Sequence, residues 1–161
     1  MSLTAEILRS YRSPRLVLRN QLVTGANEAR ALAFLMIACG LFFVAQWPPL
    51  ARAAHLDPGV PLDARLGGAL MAMLFILPLV AYAVAGIAHL VARVAGGRGS
   101  FFTARLALFW SMLAISPLML LQGLLAGFVG GPVAMMSGLL VLLAFLVIWA
   151  ATMAEAESQG D

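Results

Sequence analysis

Of the imidazoles and thiols that bind metals or act as nucleophiles, this sequence has three: Cys39, His55 and His89. His55 lies between two apolar blocks and His89 at the end of one. If the blocks cross a membrane, the two imidazoles fall on opposite sides and cannot share a metal ion. Cys39 has no second cysteine to pair with. The string Met36-Ile37-Ala38-Cys39 looks like a lipoprotein cleavage site. However, the apolar stretch before it begins only at Ala31, and a signal core needs about 7–15 residues. A buried thiol inside a span is expected instead. His89 shares a helical face with Tyr82 and Gly86, and Arg93 follows one turn on. A proton or quinone contact would need a chain of ionisable groups, and no acid is near His89 in sequence. An interfacial histidine bonded to a carbonyl or a headgroup is the expected role.

The loop Gly96-Gly97-Arg98-Gly99-Ser100 has the glycines of a phosphate cradle. It lacks the strand and the Lys of a P-loop, so a tight turn whose Arg98 touches lipid headgroups is expected. Ser111, Ile115, Leu118 and Gln122 share one helical face. Gln122 is open to two readings, a substrate contact or the interhelical hydrogen bonding that polar side chains supply in membranes. Gly123 and Gly127 form a GxxxG pair, with Ser116 and Leu120 continuing the stripe, and such small residues let helices approach closely. Ser116, Gln122, Gly123 and Gly127 are therefore the candidates for a helix-packing or partner seam, with packing inside the chain's own bundle preferred.

No nucleophile–base pair or carboxylate pair stands out, so no catalytic, cofactor-binding or metal-binding residue is assigned and an enzyme is not expected. Deep in the apolar blocks there is no Asp, Glu, Lys or Arg. A charge in the bilayer is costly and is kept for function, so a proton-coupled transporter is disfavoured.

The elements that hold these residues are four apolar blocks, at about 31–47, 67–92, 106–129 and 133–153. Each is near or above the ~18–20 residues that cross a bilayer as a helix, the structure that satisfies its own backbone there. With 63% hydrophobic and 11% charged residues, little is left outside the blocks. The expected fold is an all-α membrane protein, a four-span helical bundle at 31–153. It follows an amphipathic N-terminal segment at 1–30 and precedes an acidic tail at 154–161. Trp47-Pro48-Pro49 is expected to end the first span, and Pro78 and Pro117 fall within the second and third. Asp57-Pro58-Gly59 and Gly130-Gly131-Pro132 mark turns.

In the N-terminal segment, Leu3, Ile7, Leu8 and Tyr11 share one face, with Glu6, Arg9 and Arg12 opposite. Ser13-Pro14 restarts the chain as N-cap and first helical residue. Arg9, Arg12, Arg15 and Arg19, with Arg98, are the candidate contacts to anionic headgroups. The net charge of +3 comes with ten basic residues, all of them Arg, a usage that hints at a GC-rich bacterial gene. No basic run is interleaved with aromatics, so nucleic acid is not an expected partner. The arginines crowd before the first block and between the second and third, which places both termini in the cytoplasm.

Three features resemble the YIP (Ypt/Rab-interacting protein) family of small polytopic membrane proteins, in a bacterial version. They are Ser13-Pro14-Arg15 before the first span, the stretch HLVARVAGGRGSFF from His89 to Phe102, and Ser116-Pro117-Leu118 within a span. The family pattern has five spans where this chain has four blocks. The resemblance implies fold and membrane residence more than activity. The expected function is a non-enzymatic protein of the bacterial inner membrane, a scaffold or accessory subunit bound to another membrane protein or complex. A small transporter or channel is the alternative.

Overall fold

The computed structural model describes residues 3–158, and every regular element among them is helical. A two-helix arm comes first, α1 (Leu3–Ser10) and α2 (Pro14–Val23), followed by α3 (Glu28–Leu56). Next, α4 (Leu62–Met71), one π turn (Ala72–Ile76) and α5 (Leu77–Val94) form a single 33-residue rod. The chain closes with α6 (Phe101–Phe128) and α7 (Gly131–Ser158). Helix α3, the α4–α5 rod, α6 and α7 are each long and apolar enough to cross a membrane. The protein is a multi-pass helical membrane protein.

Helix α6 is the axis of the bundle. Every residue from 106 to 116 is buried, because α1, α2, α3, α5 and α7 all pack around that half. The outer helices bury only a stripe each. On α3 it includes Ala31, Phe34, Leu35, Ala38, Phe42 and Ala45, a helical period with one face inward. On α5 it is Ala81, Ala85 and His89, four residues apart. Trp110 meets Phe34 edge to face at 5.1 Å, and Phe109 meets Tyr82 at 5.0 Å. Cys39 is fully buried, as expected.

The first span does not end at Trp47. Helix α3 runs through Pro48 and Pro49 to Leu56, so the linker shrinks to a few residues around the expected Asp57–Gly59 turn. That turn is held by Gly59 N–H to Asp57 Oδ1 at 3.2 Å and by the Arg65–Asp57 ion pair at 2.9 Å. A proline lacks an N–H for the carbonyl four residues back. Here the Ala45 carbonyl, which Pro49 leaves without its helical donor, lies against the backbone of Gly123 on α6. The helix continues through both prolines, packed along α6. Near Pro78 the chain adapts differently. The π turn just before it shifts the hydrogen-bond register, a common accommodation in a helix that must pass a proline.

The acidic tail is also not separate. Helix α7 continues to Ser158, carrying Glu155 and Glu157 with it, while Asp161 lies outside the described residues. The break at Ser13-Pro14 falls as read, with Pro14 opening α2, although Ser13 makes no side-chain cap. Between α6 and α7, Gly130 and Gly131 take φ of +67° and +56°, the left-handed region that glycine enters freely.

Candidate functional site

The arm, the glycine loop and the last turns of α7 gather at one end of the bundle. There His89, at the last turns of α5, is 1% exposed. Its Nδ1 is 2.9 Å from Glu157 Oε1, and its ring lies on Phe101 at 4.4 Å. The expected carbonyl or headgroup partner is therefore replaced by a carboxylate 68 residues away. No local pattern in the sequence signals that pairing.

Glu157 is held from a second direction by the glycine loop. Gly99 N–H donates to Glu157 Oε2 at 3.1 Å, and Arg98 N–H donates to the Glu157 carbonyl at 2.9 Å. A Cβ at Gly97 would stand 2.5 Å from Glu157 Oε2, and one at Gly99 would stand 2.5 Å from the Ala156 carbonyl. The glycines thus serve the close approach that a phosphate cradle requires, but the anion in the cradle is the chain's own carboxylate. Ser100 then caps α6 through a reciprocal pair with Thr103, at 3.2 and 2.9 Å, which satisfies two orphan N–H groups. The end of α5 and the loop that follows it are thus tied to the distant end of α7 by one acid.

The arm does not rest on the face expected for α1: of Leu3, Ile7, Leu8 and Tyr11 only Ile7 is buried, with Ser10 beside it. Trp110 Nε1 donates to Ser10 Oγ at 2.9 Å, and the Ser10 hydroxyl donates in turn to the Glu6 carbonyl at 2.9 Å. Tyr11 Oη donates to the Ala114 carbonyl at 2.6 Å. Gln21 of α2 reaches Glu6 at 2.7 Å, and Arg30 reaches the Gln21 carbonyl at 2.8 Å. Ile7, Val17 and Leu18 are buried beneath these bonds. Burial pushes the Tyr11 phenol above its ordinary pKa of 10.0, because the neutral form loses less on leaving water. Arg9, Arg12, Arg15 and Arg19 all stay exposed, as does Arg98. Arg105 pairs with Glu28 and lies over the Tyr82 ring at 5.8 Å.

The glycine seam is internal. A Cβ at Gly123 would overlap the Ala45 carbonyl, and one at Gly127 would overlap Pro48. Arg52 closes the far end of the seam with a 3.3 Å bond to the Gly127 carbonyl. Ser116 is buried, and its hydroxyl stays within α6, donating to the Leu113 carbonyl at 2.8 Å. Ser111 instead joins α6 to α7, its Oγ 2.9 Å from Thr152 Oγ1. Gln122 stands apart from the other three candidates. It lines a cleft between α5 and α7, facing Gly138.

No group of three His, Cys, Asp or Glu that could hold a metal ion occurs among the described residues. The chain matches no known protein family, no curated protein and no solved structure.

Proposed function

We propose that this protein is a non-enzymatic scaffold or accessory subunit, bound to another membrane protein or complex. The observation that carries the reading is the filled centre of the bundle. Residues 106–116 of α6 are buried on all sides, and the hydroxyls at that level, Ser111, Ser116 and Thr152, are bonded to one another or to carbonyls. A path for a polar solute needs polar groups free to replace its water. The groups along this axis are engaged with the protein itself. The resemblance to the YIP family supports membrane residence in the same sense.

We place the protein in the bacterial cytoplasmic membrane with the end that carries the arm and the glycine loop inside, on the arginine distribution. Reporter fusions at Gly99 are expected to read cytoplasmic and at Gly59 external. The role itself is tested by two measurements on one preparation. Extraction in mild detergent is expected to yield a stoichiometric complex with a larger membrane protein. Reconstituted vesicles are expected to show no solute flux above empty ones. Flux without a complex would replace this reading with the transporter or channel.

A further inference from the structure

The arm reaches far down the side of the bundle, and its bonds give the depth. Glu28 and Arg105 pair where α3 and α6 begin. Beyond Arg30 on α3 and Arg105 on α6, no charge follows until Arg52 on α3 and none to the end of α6. The base of the arm lies near this level, where Arg30 bonds the Gln21 carbonyl and Gln21 bonds Glu6. Its turn lies lower, where Ser10 meets Trp110 and the Tyr11 hydroxyl meets the Ala114 carbonyl. From Arg105 to Ala114 α6 advances ~13 Å, most of one leaflet of a hydrocarbon core ~30 Å thick. Thus α1 leads in, the chain turns at Ser13-Pro14, and α2 leads back.

The turn carries charge. Arg12 and Arg15 flank it and Arg19 follows one helical turn on. All three are exposed and have no partner among the described residues. Beside them Leu8 and Leu16 are 69% and 52% exposed. The surface of α5 is the reverse. Tyr82 lies level with Phe109, their rings 5.0 Å apart, and from there α5 rises ~14 Å to Val91 toward the same end. Over that length it turns Ile87, Leu90 and Val91 outward, and the first charge is Arg93. A level membrane surface cannot suit both sides. Drawn at Val91, it would leave Arg12 and Arg15 unpaired in hydrocarbon, which is costly. Drawn at the turn of the arm, it would leave Ile87, Leu90 and Val91 in water, which is costly as well.

We propose that the arm is a re-entrant hairpin that holds phospholipid headgroups at the depth of its turn, below their level beside α5. Arg12, Arg15 and Arg19 meet the phosphates of anionic lipid, while Leu8 and Leu16 enter the acyl chains. Leucines set between arginines are the composition of an element seated at the headgroup–acyl boundary. An arm resting on the membrane surface, as the sequence alone suggests, would need no such dip. Here the bonds to Trp110 and Ala114 fix the arginines low, and the lipid comes to them.

The test places bimane on one cysteine, Leu16→Cys or Val91→Cys, in a Cys39→Ala background, with the protein in phosphatidylcholine vesicles. Lipids bearing a nitroxide on the headgroup or in mid-chain quench the label, and the ratio of the two reads its depth. Under a level surface the Leu16 site lies on the order of 10 Å deeper than the Val91 site. Both sites are expected instead at one shallow depth, each quenched more strongly from the headgroup. Phosphatidylglycerol, replacing unlabelled phosphatidylcholine, is expected to displace the headgroup quencher from the Leu16 site at least twofold more than from the Val91 site. Arg12→Gln, Arg15→Gln and Arg19→Gln together are expected to abolish that excess. The combined variant should fold, because all three side chains are exposed and make no bond among the described residues. A Leu16 site quenched best from mid-chain overturns the proposal. So does one that no lipid reaches, the result expected if a partner protein covers the arm, and so does equal displacement at the two sites.

Discussion

The Ser116 hydroxyl donates at 2.8 Å to the Leu113 carbonyl, the very carbonyl that Pro117 leaves without its helical N–H. Two adjacent residues thus create and fill one gap in the centre of the bundle, where water cannot fill it. Ser116→Ala should orphan a buried carbonyl and lower stability by ~1–3 kcal/mol. Pro117 is exposed, so Pro117→Ala should be tolerated and restore the N–H. In that background Ser116→Ala should cost little. Thermal unfolding of the four variants in detergent gives the cycle. Additive losses would mean that the serine supports something other than the proline.

The glycine seam predicts a graded response. Gly127→Leu and Gly123→Ala put atoms where Pro48 and the Ala45 carbonyl already stand, and overpacking of this kind costs ~1–3 kcal/mol or more. Gly40 has open space where a Cβ would go, so Gly40→Ala should be neutral or gain up to ~1 kcal/mol from helix propensity. The readout is the thermal midpoint of the monomer. A Gly127→Leu monomer as stable as wild type, but no longer bound to a partner, would move the seam to the outside.

At the glycine-loop end, His89 and the loop share the Glu157 side chain. Glu157→Ala removes the partner of a histidine with 1% exposure and of the Gly99 N–H. Leaving a buried hydrogen-bonding group without its partner costs ~1–3 kcal/mol. The loop should loosen before the spans do, so trypsin should cut at Arg98 sooner in this variant while the helical content stays. Gly97→Ala should act in the same direction, since its Cβ would crowd the carboxylate. Unchanged cleavage in both would leave the pair without a structural role.

These contacts mark where the sequence stopped being informative. The four spans were legible because lipid imposes one rule, an unbroken apolar run, on every residue in them. The Gly130 turn and the buried Cys39 followed from the same rule. The end of α3 is not legible because a proline in the sequence shows only what it removes from its own helix. Whether a freed carbonyl finds a place, as Ala45 does against Gly123, depends on a helix 78 residues further on. Glu157 reads as tail for a similar reason. Charge near a terminus usually points to water, and only the fold brings His89 and the loop around it. The candidate arginines of the arm were placed on its exposed side, but the bonds that hold the arm run through Ser10, Tyr11 and Gln21. Ser10 and Gln21 carry no period or motif, and Tyr11, although on the apolar period of α1, bonds a carbonyl 103 residues away.

The arm offers a pH-dependent prediction. Tyr11 donates to the Ala114 carbonyl from a partly buried position, and burial raises its pKa above 10.0. The folded state therefore holds the phenolic proton more tightly than the unfolded chain. The stability this supplies is fully present below pH 10 and is lost as pH rises through the folded-state value, when the donor becomes an anion facing a carbonyl. In a Tyr82→Phe background, tyrosinate absorbance should report Tyr11 alone, with a midpoint above 10. The thermal midpoint of the parent should exceed that of its Tyr11→Phe derivative at neutral pH, since a hydrogen bond of this kind contributes ~0.5–1.5 kcal/mol. The difference should shrink as pH rises past the tyrosinate midpoint, and trypsin should then reach Arg12 and Arg15 more readily in the parent. A phenol that titrates at its ordinary value, with an arm equally protected at both extremes, would mean that Ile7, Val17 and Leu18 hold the arm without the help of this bond.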